Sequence, residues 1–324
     1  VISLRNRKLK RSLEGTISKL HGGRDFSGEI KVSVYDIESG VNASVGGNDS
    51  GWAASIIKVP IMISTLQEIE KGSLTSRTKL EVNHEFMLEP WNYVSRLPDK
   101  SKIGVKELIY RMIVASDNEA TNILANHIGI ERINRDMWEL GMENSMLGHL
   151  LCPGAQRYTS PMNPDGSNIT CPNDMVKIMR HIYDDSFSKL NSRVRANADK
   201  FLDISPPHLL DTGEFRNSYI KAKAGYISDP KDGEDIHEVG IIDDHLVVCV
   251  MLNKVKDAWF FDRGLSDREG ESPWAFPVSK DGYFQHDGDY LMDPSCVQGT
   301  LSGMKHLPGG VIHRKIMNTI ANNI

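Results

Sequence analysis

Cysteine, aromatics and long apolar runs are scarce in this chain. Cys152, Cys171, Cys249 and Cys296 are scattered without C-x-x-C spacing, which gives neither a zinc-site signature nor a disulfide framework. No apolar run approaches the ~20 residues that span a bilayer, and no secretory signal is visible. The chain opens at Val1, which is compatible with an export signal already removed. Basic excess is missing too: 38 Lys and Arg stand against 43 Asp and Glu, for a net charge of -5, so nothing here suits a nucleic-acid grip. The most basic stretch, RNRKLKR at 5–11, reads as the wet face of a first helix.

What remains is ordinary globular material. At 324 residues with 40% hydrophobic content, the chain can bury a substantial core. Leu9, Leu13, Ile17 and Leu20 form one stripe, which predicts an amphipathic helix ending at Gly22-Gly23. Ile30, Val32 and Val34 alternate with polar residues and lead into a hairpin turning at Glu38-Ser39-Gly40. Helices are predicted over 55–71, 104–114, 118–128, 130–140, 172–184 and 187–202. Strands return at 217–224, 236–242 and 245–252, and a helix near 310–323 closes the chain. That order predicts an α/β (α+β) fold: an antiparallel sheet flanked by the terminal helices, beside a helical subdomain. The sheet unit is expected at 1–58 and 205–324, the helical unit at 59–204, and an irregular insertion at 255–308.

Three short motifs carry chemistry. S-x-x-K begins at Ser55, Ser76, Ser186, Ser218, Ser228 and Ser302, so the pattern alone proves little. Only Ser55 falls at a helix start in an apolar setting, after the glycine-rich VGGNDSGW, with Lys58 as the sole charge of AASIIKVPIM. Three residues apart on a helix, the two side chains share a face, and the helix N-terminus favours an alkoxide and a neutral amine. Alone, the pair would read rather as a capping serine and a snorkelling lysine. SDNEATNIL then places Ser116, Asp117 and Asn118 between two helical segments, and IKAKAGY ends a strand with Lys223-Ala224-Gly225.

In that order the motifs resemble those of the penicilloyl serine transferases, most closely the class A β-lactamases and their penicillin-binding relatives. The resemblance covers about 28–255 and the last helix. It implies Ser55 as the acylated nucleophile, Lys58 as its general base or proton relay, and Ser116 as the proton donor to the leaving nitrogen. It implies that Asn118 holds the substrate amide and Lys223 attracts a substrate carboxylate, with Ala224, Gly225 and Tyr226 in the same substrate-binding strand. The backbone N–H groups of Ser55 and Tyr226 would form the oxyanion hole, and Asp117 would be structural. No cofactor or metal is required.

Three departures qualify the resemblance. Ala224 lacks the hydroxyl usual in the middle of the third motif. HEVGII carries no arginine before its glycine, offering His237 and Glu238 instead. The loop LLCPGAQRYTSPMNPDGSNITCPNDM lacks the glutamate that activates the deacylating water in class A enzymes. Ungapped alignment puts Ala155-Gln156 at its place, Asp165 is the only acid in the loop ahead of TCPNDM, and Asn122, which faces that glutamate in the family, is retained.

The expected activity is acyl-enzyme formation on a β-lactam or related amide or ester, with slow or atypical deacylation. A penicillin-binding or D-alanyl peptidase type, a biosynthetic acyl transferase or esterase, and a non-turnover β-lactam sensor are alternatives on the same fold. Partners are small molecules rather than nucleic acid or membrane, and family analogy implies a periplasmic or extracellular location. Tyr93, Trp91 and Tyr226 are candidates for the cleft mouth.

Overall fold

The computed structural model describes residues 2–22, 27–86, 92–152, 154–205, 209–229, 233–256, 285–286, 289–290 and 308–324. Trp91 and nearly all of the 255–308 insertion lie outside these residues. A five-stranded antiparallel sheet is the frame. It is built from β1 (Ser27–Asp36), β2 (Asn42–Val45), β7 (Ile220–Asp229), β8 (Gly233–Ile242) and β9 (Leu246–Lys256), in the order β2-β1-β9-β8-β7. The first and last parts of the chain meet at its centre, where β1 pairs with β9 from Tyr35↔Val247 to Ile30↔Leu252.

Period-two alternation assigns the two faces of β9. Leu246, Val248, Val250 and Leu252 join a core with α1 (Ile2–His21) and α8 (Pro308–Ala321), whereas Val247, Cys249 and Met251 face the helical layer. The stripe Leu9, Leu13, Ile17 and Leu20 is the buried side of α1, as its spacing predicts. Thr16 and Thr319 exchange a hydrogen bond at 2.8 Å across the α1–α8 seam.

The helical layer contains α2 (Lys58–Lys71), α3 (Val105–Ile113), α4 (Asn118–Ile128), α5 (Ile130–Glu139), α6 (Pro172–Tyr183) and α7 (Ser192–Ile204). Short pairs β3 (Gly51–Trp52) with β6 (Ile169–Thr170), and β4 (Lys79–Glu81) with β5 (Lys102–Gly104), stitch its edges. No described helix is long and apolar enough to cross a membrane. Local chemistry sets the helix limits. Pro60 sits in the first turn of α2, where a missing N–H costs nothing, and Gly72 ends the helix with φ 81°. Asp117 caps α4 by accepting from Ala120 N at 2.9 Å.

Several sequence expectations shift; the helix expected at 187–202, for example, runs from Ser192 to Ile204. The segment at 54–57 is a 3-10 turn, and the α-helix begins only at Lys58. β7 runs from 220 to 229 rather than 217 to 224, because Ser218 N bonds Phe215 O in a turn and the ladder with β8 begins at Ile220↔Ile242. The strand therefore extends past Lys223-Ala224-Gly225 instead of ending there.

Because α1 completes one face of the sheet, Leu13→Ala, at a fully buried position, should cost about 2–5 kcal/mol. Urea unfolding would read this as a lower midpoint with an unchanged slope.

Candidate active site

Lys58 is fully buried at the start of α2, in a helix that is apolar on nearly every side. A charged amine there needs compensation. It finds Ser116 O at 2.5 Å, Asn118 Oδ1 at 2.7 Å and Ser116 Oγ at 3.1 Å. Lys223, in β7 and also buried, reaches the same Ser116 Oγ at 3.1 Å and the Ala224 carbonyl at 2.8 Å. Four predicted residues, from α2, the α3–α4 turn and β7, thus form one hydrogen-bonded group around a single hydroxyl.

Burial, followed by the neighbouring Lys58 charge, pushes the Lys223 amine well below the usual lysine range, with Glu238 opposing. Two amines on one hydroxyl in a dry site disfavour double protonation, so the cluster is poised to hold a neutral amine.

Ser55 lies in the 3-10 turn that leads into α2, three residues before Lys58. The turn docks on β7. A Cβ added to Gly225 would lie 2.7 Å from Ser55 N and 3.0 Å from both Ile56 N and the Ala54 Cβ, so glycine is what lets the strand approach. Ala54 and Ser116 hold left-handed φ values of 45° and 56°, conformations that cost non-glycine residues energy and persist where the surroundings impose them.

His237 is a buried mid-strand residue of β8, opposite Gly225 in the register. Its Nε2 lies 2.8 Å from Trp52 O, so it donates to the strand that leads into Ser55. Burial lowers its pKa to about 4, which keeps the imidazole neutral. Glu238, opposite Ala224, accepts from the N–H groups of Leu209 and Leu210 at 2.6 and 2.7 Å, so its carboxylate is spent on backbone.

The Tyr226 side chain packs on the terminal-helix face beside Glu234, which removes it from the cleft mouth. Tyr93 is half-buried, packs on the helical core and carries the Arg111 guanidinium 3.8 Å above its ring.

The loop opposite the site has a register that sequence reasoning missed. Asn122 grips both backbone groups of Leu151, donating to its carbonyl at 2.8 Å and accepting from its N–H at 2.6 Å. The clamp falls four positions before Ala155, where ungapped alignment had placed the missing glutamate. Asp165 is engaged locally by Ser167, whose hydroxyl hydrogen bond, at 2.9 Å, is the leading influence holding that carboxyl below its usual range. Among the described residues, no group of His, Cys, Asp or Glu has metal-binding placement.

A family model described as "Beta-lactamase enzyme family" matches residues 12–271. The chain belongs to this family. Solved structures of similar fold include PBP-A, at 17% identity with a TM-score of 0.66, covering 96% of each chain. They also include a beta lactamase from Xanthomonas campestris pv. campestris str. ATCC 33913, at 16% identity and TM-score 0.66, covering 96% of this chain and 98% of that one. A third is a leucine-to-glutamate mutant of PBP-A as an acyl-enzyme complex with penicillin-G, at 17% identity and TM-score 0.65, covering 96% of this chain and 97% of that one. At these identities the likeness shows the fold. Comparison with curated proteins gives no match. Family membership supports a hydrolase of the β-lactamase kind.

Two outcomes test this geometry. Gly225→Ala should slow acylation about 100-fold, read by intact-protein mass, because the added methyl displaces the Ser55 backbone. His237 binds its proton less tightly folded than unfolded, so its contribution to stability is complete above 6.5 and is lost as pH falls towards about 4. His237→Gln should flatten that part of the melting-temperature profile.

Proposed function

We propose that Ser55 is acylated by a β-lactam or a related amide or ester, and that the acyl-enzyme empties slowly. The observation that carries this reading is the Lys58–Ser116–Lys223 hydrogen-bond chain beside the Ser55 turn. Once Lys58 has given up a proton, and with it one of its three donated hydrogen bonds, its lone pair takes the proton of Ser55 Oγ as that oxygen attacks the carbonyl carbon. The Ser55 N–H, with that of Tyr226, stabilises the resulting oxyanion. The carbonyl C–N bond then breaks as Ser116 gives its proton to the departing nitrogen, and Lys58 returns a proton to Ser116. Lys223 fixes the Ser116 hydroxyl and faces the substrate's anionic end, while Asn118 holds Lys58 and the substrate amide.

Deacylation is where this chain departs from a fast β-lactamase. Asn122 presents Leu151 at the clamp, and a leucine cannot activate water. PBP-A with a glutamate in place of a leucine is an acyl-enzyme with penicillin-G, so that relative is acylated at least in that form. A penicillin-binding reading, with transfer to an acceptor other than water, is the second choice, and Leu151 is the observation that favours it. Ala224 weakens the grip on a substrate carboxylate in either case. The family's habit of working outside the cytoplasm supports an extracytoplasmic site.

Intact-protein mass spectrometry after penicillin exposure, paired with nitrocefin turnover, tests the proposal. A long-lived adduct on Ser55, absent in Ser55→Ala, is expected, and full activity in that variant would refute it. Leu151→Glu should shorten the adduct lifetime by roughly 100-fold without altering its formation. An unchanged lifetime would remove Leu151 from the role given to it.

A further inference from the structure

Outside the three motifs, one line of side chains crosses the sheet beneath the approach to Ser55. Lys31 of β1 stands opposite Met251 of β9, Met251 opposite His237 of β8, and His237 opposite Gly225 of β7. Paired residues share a face, so these four form a row across four strands, on the side of the helical layer that Met251 joins. Polar groups are unfavourable in such a place unless bonded, yet Lys31 is 6% exposed and His237 fully buried. Both bond to one segment of chain. Lys31 Nζ donates to Ser50 O at 3.1 Å, beside its ion pair with Glu29 at 2.9 Å, and His237 Nε2 lies 2.8 Å from Trp52 O. A carbonyl only accepts, so Nε2 carries the imidazole proton. Asn253, two residues past Met251 on the same face, flanks the residue between them: a Cβ on Gly51 would lie 2.7 Å from its amide oxygen.

The segment follows the row step by step. Ser50 is held by Lys31, Gly51 lies against Asn253, Trp52 is held by His237, and the Ser55 backbone nitrogen lies against Gly225. We propose that Lys31 and His237 are positioning residues for the nucleophile: the row Lys31–Met251–His237–Gly225 is a rest on which residues 50–55 are laid, and it sets where the Ser55 turn stops against β7. The other edge of the segment belongs to β6, through the pairs Gly51↔Thr170 and Trp52↔Ile169 and the bond from Ala53 N to Asn168 O at 2.8 Å. Without the two side chains the segment stays attached to β6 but loses its polar attachment to the sheet. The inference rests on the role given above to Ser55.

Placement is what acylation demands of a serine. A reacting group moved by about 1 Å from its attacking geometry can lose on the order of 100-fold in rate. Hydrogen bonds suit this task because they fix a carbonyl's direction as well as its distance, whereas apolar contact is non-directional. Neither side chain touches the reacting atoms in this scheme; both act through the backbone that leads to Ser55. Trp52 is three residues from Ser55 and Ser50 is five, so the His237 bond carries more of the effect than the Lys31 bond.

His237→Leu and Lys31→Met remove the donors while keeping the row filled, and Glu29 retains Lys254 at 3.4 Å when Lys31 is replaced. In the full-length proteins, held well below their melting temperatures, penicillin acylation should slow roughly tenfold in His237→Leu and about threefold in Lys31→Met. The dissociation constant of the initial complex should stay as in the wild type, which separates placement from binding. His237→Gln, which keeps an N–H for Trp52 O, should recover most of the rate. Wild-type acylation rates in both donor-less variants, or a loss in His237→Leu that glutamine leaves unrestored, overturn the proposal. Amide hydrogen exchange gives a readout that needs no substrate. The Ala53 N–H should lose about tenfold in protection in His237→Leu, while the β1–β9 ladder around Tyr35 and Val247 keeps its own. Equal loss at both places marks general loosening and overturns the proposal, as does no loss at Ala53. If no form is acylated, the proposed function fails, and exchange at Ala53 alone decides the row.

Discussion

Two lysine amines meet at one serine hydroxyl in a place with little water to spread their charge. That constraint shapes the centre of the molecule. Lys58 is fully buried on an apolar helix, Lys223 is buried on the sheet, and Ser116 Oγ stands 3.1 Å from each. The compact arrangement makes proton loss from one amine favourable, which is the condition for a neutral base near a serine. It also requires three separate elements to be held in register. A shift of β7 relative to α2 would separate the amines and leave at least one of them buried without a partner.

The sheet supplies that register through contacts with little tolerance. Gly225 admits the Ser55 turn against the strand, His237 fastens the Trp52 carbonyl from the neighbouring strand, and Glu238 ties down the backbone at Leu209 and Leu210. None of these groups reacts in the proposed chemistry. Together they fix where the Ser55 turn lies against β7, the strand that carries Lys223. The cost is visible in the left-handed backbones of Ala54 and Ser116.

Much of this was legible in the sequence because it is periodic or tied to motifs. The Leu9–Leu20 stripe and the alternation of β1 follow from spacing, whereas the set Ser55-x-x-Lys58, Ser116-Asp117-Asn118 and Lys223-Ala224-Gly225 was read through its resemblance to a family's ordered motifs. The loop register was not legible, since residues 142–168 have no repeating pattern and their path is set by Asn122, Asn134 and Asn168 bonding backbone groups far along the chain. The burial of His237 was hidden for another reason: a polar residue at that position looks solvent-facing, and only tertiary packing buries it. Tyr226 was misjudged because strand alternation sends it to the face opposite Lys223.

The pairing of β1 with β9 joins the beginning of the chain to a strand more than two hundred residues later, and α1 meets α8 beyond it. Contacts of that span carry a high loop-closure entropy and form slowly. On a ribosome, the helices between them emerge and can collapse while β1 still lacks its partner. The first strand must therefore wait, one edge uncovered, until residues 246–256 have been made, and this interval is where the chain is most exposed to aggregation.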